Sequence, residues 1–227
     1  MPRPDTNQDP GKILVVFDVN IYLDVARVLG EPFSWEKLIA FAVEASKSPV
    51  PHPSDPAFDS VRALVSVTPG VHPDGRRLEV WTSDHVDRLV AFKASQPNNR
   101  HLDDEDRGLG WSVGGARDLL EDLVGDLVWD KTEGGTVGDV QISYGTPPLS
   151  HEDGCVYATV RDAGIEGQYY ERFCITRDKE FLSAALPGDV SVQHPATWLA
   201  SIRRASRTRL MPVPRFAENS EVSAAGV

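Results

Sequence analysis

The stretch Lys12-Ile13-Leu14-Val15-Val16-Phe17-Asp18-Val19-Asn20 decides the fold. Its apolar run is short, partly β-branched and closed by a polar residue. Such a run predicts a strand buried on both faces, as the central strands of parallel sheets are. It stops at Asp18. In open α/β sheets ligands bind outside the carboxyl ends of the strands, so a carboxylate there is well placed to hold a metal or to react. Asp18 is also placed to cap the following helix, which Ile21, Tyr22, Val25 and Leu29 outline at helical spacing.

The same layout recurs downstream. Leu78–Trp81 reads as a second buried strand that runs into Thr82-Ser83-Asp84-His85. Ser83 is a natural N-cap, and Asp84 falls in the first helical turn, where the macrodipole favours a negative charge. Phe173–Thr176 reads as a further strand, and Asp178 begins a helix through Leu186. Ser150-His151-Glu152-Asp153 opens another helix, with Ser150 and Asp153 spaced as a capping box. Capping is the competing role for Asp18 and Asp153, and plain dipole complementation that for Asp84. Parallel strands and their helices bring such positions to one sheet edge. Carboxylates gathered there stay ionised together when a cation sits among them. Oxygen-only ligation suits Mg²⁺ or Mn²⁺, and the chemistry that follows is metal-assisted phosphodiester hydrolysis.

The 227 residues, 41% hydrophobic and 25% charged, suit one domain with inserted loops. We expect a disordered N-terminus over 1–11, an α/β domain over 12–204 and a basic, then flexible, tail over 205–227. The net charge of −11 excludes a broad basic surface that grips nucleic acid by charge alone. Local reversals remain: Arg203 and Arg204 head a basic run continued by Arg207, Arg209 and Arg215, and Arg177 stands beside Asp178. Arg177, Arg203 and Arg204 are therefore candidate RNA-phosphate contacts, with helix-dipole complementation the alternative for the tail.

Cys155 and Cys174 read as small buried hydrophobes, and no CxxC or Cys/His cluster suggests zinc. His151 reads as a surface residue. The acidic run Asp103–Asp106 reads as solvated surface. Trp111–Val128 predicts a helix, and Thr132–Leu149 a glycine- and proline-rich connection with a strand near Val140–Tyr144. No run is apolar enough for a signal peptide or a membrane span, so a cytoplasmic protein with no membrane partner is expected.

Strand-Asp18-Val19-Asn20, the Ser83-Asp84 helix start, Asp153-Gly154-Cys155-Val156-Tyr157-Ala158 and Ile175-Thr176-Arg177-Asp178 together resemble the ordered motifs of PIN-domain ribonucleases, which include VapC-type toxins. The resemblance spans about Lys12 to Arg204. It implies a three-layer α/β/α sandwich on a mainly parallel sheet, Mg²⁺ or Mn²⁺ held by Asp18, Asp153 and Asp178, and RNA cleavage. Asn20 and Thr176 would orient these ligands. An antitoxin protein and a homodimer are further implications. Many relatives carry a glutamate two turns into the second-motif helix. Here the stretch reads Val86-Asp87-Arg88-Leu89, so Asp84 would substitute, with Asp87 as the fallback. Two other readings stand beside this one. Val15–Val19 also resembles the nucleophile strand of haloacid-dehalogenase-type phosphatases, but Asn20 replaces the acid/base aspartate. A non-catalytic PIN-like binding module is the third.

Overall fold

A computed structural model describes residues 11–47, 56–99, 101, 107–140, 149–166, 169–186 and 189–210. β1 (Lys12–Phe17) is the middle strand of a five-stranded, all-parallel sheet. β2 (Arg77–Ser83) and β4 (Tyr169–Ile175) flank it, and β3 (Gly135–Val137) and β5 (Val190–Gln193) form the edges, in the order β3-β2-β1-β4-β5. Ile13 to Phe17 are fully buried, which is what an apolar run without alternation requires. Val16 stands beside Trp81 on one side and Cys174 on the other, so all three strands end at the same rim.

The helices flank this sheet. α1 (Val19–Leu29), α2 (Trp35–Lys47), α3 (Pro56–Val67) and α8 (Pro195–Leu210) pack in one group. α4 (Asp84–Ser95) and α5 (Val113–Leu119) pack in another, with α6 (His151–Glu166) set against β1, β2 and β4. The short α7 (Lys179–Ser183) follows β4. No helix among the described residues is long and apolar enough to cross a membrane.

Several elements depart from the sequence-based expectation. The helix expected over Trp111–Val128 begins as α5, capped by Ser112, and continues as a π-helical segment over Leu120–Lys131. Thr132 ends that segment. Its hydroxyl donates to Leu127 O and Val128 O and accepts from Val80 N, which ties the segment to β2. Gly134 then passes so close to β2 that a Cβ would lie 1.8 Å from Val80 O. This approach lets Gly135–Val137 pair as β3, upstream of the strand expected near Val140–Tyr144, of which 141–144 lie outside the described residues. α7 stops at Ser183, short of Leu186. α8 runs on to Leu210, so the expected boundary at 204 falls inside a helix, and Arg207 is helical. The expected N-terminal segment, the run Asp103–Asp106 and the chain beyond Leu210 lie outside the described residues, save Gly11.

Candidate metal-dependent active site

Asp18 follows β1 directly, at the N-cap position of α1 and with extended backbone, yet its side chain makes no capping bond. The carboxylate turns across the rim instead. Its Oδ2 accepts from Asn20 Nδ2 at 2.6 Å and from Thr176 Oγ1 at 2.6 Å. Thr176 is fully buried at the end of β4, and its Oγ1 also accepts from the backbone N–H of Asp178 at 2.9 Å. Asn20 Oδ1 accepts from the Arg177 N–H. Two side chains thus lock the orientation of Asp18 and join it to the β4–α7 turn.

Asp18, Asp153 and Asp178 line one cavity of about 370 Å³, with Asn20, Lys93 and Glu152 among the other wall residues. Asp153 and Asp178 also perform the competing role. Ser150 Oγ donates to Asp153 Oδ2 and accepts from its N–H, and Asp178 Oδ1 accepts from Phe181 N–H. Capping and cavity lining coexist, because a cap leaves part of the carboxylate facing outward.

The electrostatics follow from burial. Desolvation pushes the Asp18 carboxyl up to about 7, against the hydrogen bond from Thr176, and the charges of Asp153 and Asp178 push the same way. Asp153 is also raised, first by burial and then by Asp178 and Glu152, while Ser150 opposes. Such mutually repelling acids in a cleft are what a bound cation would relieve. The donor set is all oxygen, which fits Mg²⁺ or Mn²⁺. Among the described residues the three carboxylates do not all bring an oxygen within 4.8 Å of one another, so no one ion is encircled by all three. Mg²⁺ is commonly held by one or two carboxylates and keeps waters that meet substrate phosphates. The cavity has room for that shell, at about 30 Å³ per water.

Asp84 is exposed in the first turn of α4, and neither it nor Asp87 is among the cavity walls. Asp87 accepts from Thr82 Oγ1 at 2.6 Å, and burial raises its pKa to about 6. Arg177 turns away from the cavity. Its guanidinium pairs with Asp24, which is 1% exposed and also accepts from Ser60 and Arg27. Arg204 borders a separate cavity with His72, Asp74, Arg76 and Arg209, on the loop that enters β2 and hence at the opposite rim. Arg203 lies on α8 beside it and is absent from the acid cavity. Lys93, Glu152 and Glu180 were not legible as site residues, because nothing in helical spacing says which surface charge faces a cleft.

Comparisons of this chain with protein-family models, curated proteins and solved structures find no match.

Proposed function

We propose that this protein is a Mg²⁺- or Mn²⁺-dependent endoribonuclease of PIN type, with its two helix groups as the outer layers of an α/β/α sandwich. One observation carries the reading. Asp18, Asp153 and Asp178, from β1, α6 and the β4–α7 turn, face one cavity at the rim where parallel strands end. A divalent cation held by one or two of these carboxylates would supply positive charge for a phosphodiester and lower the pKa of a bound water. The chain's own groups do the rest. Asn20 and Thr176 hold Asp18 in one orientation, Lys93 and Glu152 form an ion pair on the cavity wall, and Asp153 and Asp178 repel any anion that arrives without the metal. A toxin role, an antitoxin partner and homodimerisation belong to the same proposal through the motif resemblance.

The test is cleavage of a panel of single-stranded and structured RNAs, with and without Mn²⁺, by the wild type, Asp18→Asn and Asp178→Asn. We expect Mn²⁺-dependent cleavage that both variants lose by more than the roughly 10–100-fold typical of losing an outer partner of a metal ligand. Equal cleavage by all three proteins overturns the reading. The position of Asp84 outside the cavity wall favours a second reading, a module that binds metal and nucleic acid without cutting. It predicts thermal stabilisation by Mn²⁺ with every RNA left intact.

A further inference from the structure

A second group of ligating atoms lies between α4 and α6, apart from the acids just described. His151 and Cys155 are four residues apart on α6, so they share one helix face. His85, in the first turn of α4, meets them there. One ligand atom from each of the three lies within 4.8 Å of the others, and they are the one His/Cys/Asp/Glu group of this kind among the described residues. The histidine rings meet edge-on, with centroids 5.8 Å apart. His85 Nε2 is buried and has no hydrogen-bond partner. Buried polar atoms are rarely left so, and an orphan beside a second imidazole and a thiol calls for a ligand.

The geometry points to a Zn²⁺ site formed by His85, His151 and Cys155. Imidazole and thiolate donors are the ones zinc prefers over the all-oxygen set that magnesium takes. Zinc bonds of about 2.0 Å to nitrogen and 2.3 Å to sulfur place tetrahedral ligand atoms roughly 3.3–3.5 Å apart. His151 is exposed and free to swing inward over that difference, while Cys155, 1% exposed, supplies the fixed corner. Binding releases the Cys155 thiol proton to solvent, since the thiolate is the ligand. Glu152 adds a negative charge close to His85 and Cys155, and Arg88 opposes it from α4. Three protein ligands leave a fourth position open. His151 and Glu152 also line the acid cavity, and zinc would pin the turn of α6 that carries Asp153. The inference does not depend on the ribonuclease reading.

The test uses the full chain, stripped of metal with a chelator and titrated with Co²⁺ as a spectroscopic stand-in for zinc. One equivalent should give tetrahedral d–d bands and a thiolate-to-cobalt charge-transfer band, and Zn²⁺ should bleach both. Cys155→Ser must abolish the charge-transfer band. His151→Ala, at an exposed position, keeps the fold even where Cys155→Ser does not, and should weaken Co²⁺ at least about tenfold, in line with the known cost of disturbing a metal shell. Asp18→Asn should leave the band intact, which separates this site from the carboxylates. Absence of the band in the wild type, or its persistence in Cys155→Ser, overturns the inference. So does unchanged affinity in His151→Ala.

Discussion

Thr176 and Asp18 lie 158 residues apart in the chain, yet the Thr176 hydroxyl donates to Asp18 Oδ2 at 2.6 Å inside the protein. That bond opposes the rise that burial imposes on Asp18. Thr176→Val keeps the shape and removes the donor, and it also leaves the Asp178 N–H without its acceptor. A buried polar group that loses its partner costs about 1–3 kcal/mol. We expect a destabilisation of that size in urea and an Asp18 pKa displaced upward from about 7 in a carboxyl-carbon NMR titration. An unmoved Asp18 titration would show that the bond does not set the charge of the site.

The pH dependence of stability has a definite sign. Asp18 titrates near 7 in the folded chain, against an ordinary 3.8, so between those values the folded state binds a proton that the unfolded state has released. Stability of the metal-free protein should therefore fall as pH rises from about 4 to about 7. Asp87, raised to about 6, adds to the same trend. Asp18→Asn keeps an oxygen for Asn20 and Thr176 and should flatten the slope in a series of Tm measurements. Because protons compete with the cation, stabilisation by Mn²⁺ should grow across the same window. A wild-type Tm that climbs steadily from pH 4 to 7 would contradict the burial of a protonated Asp18.

Arg177 tests two readings against each other. Its guanidinium closes on the buried Asp24, so Arg177→Met strands a carboxylate that retains Ser60 and Arg27. Breaking a buried pair from one side costs about 3–5 kcal/mol. We expect a loss near the low end, because Arg27 remains, seen as a lower urea midpoint with no RNA present. A variant of wild-type stability and weakened RNA binding would instead return Arg177 to the phosphate-contact role.

Gly134 makes the close crossing of β2 possible. A methyl there would overlap Val80 O, a backbone atom held in the sheet. Gly134→Ala should cost about 1–3 kcal/mol, as overpacking does. Hydrogen exchange should quicken at Trp81 to Ser83, which pair with β3. Exchange unchanged at those amides would mean that the edge strand tolerates the shift.

The sheet was legible where side chains announce it. Lys12–Phe17 is apolar at every position after Lys12, too short for a buried helix and partly β-branched, as a strand covered on both faces is. Strand ends and helix starts of a parallel sheet share a rim, which grouped Asp18, Asp84, Asp153 and Asp178 before their distances were known; the structure puts Asp18, Asp153 and Asp178 on one cavity and leaves Asp84 off its wall. β3 was hidden because Gly135-Thr136-Val137 is brief and opens on a glycine, and its pairing depends on an approach to Val80 that no local pattern encodes. Asp84 and Asp87 could not be told apart by spacing. Their rotation around α4 is fixed by which face Val86 and Val90 bury, and the outcome leaves both off the cavity wall. His85 escaped notice because its neighbours His151 and Cys155 come from a helix more than sixty positions later.

The order of the strands also bears on when the acid cavity can assemble during synthesis. β1 leaves the ribosome first, but the partner that completes its far side, β4, follows more than 150 residues later, and Thr176 and Asp178 come after it. A nascent chain halted anywhere before that point carries Asp18 without the hydroxyl that aims it or the other acids that share its cavity. Any chemistry at this cavity therefore waits until synthesis has passed Asp178, and products that stop short of it lack the assembled site.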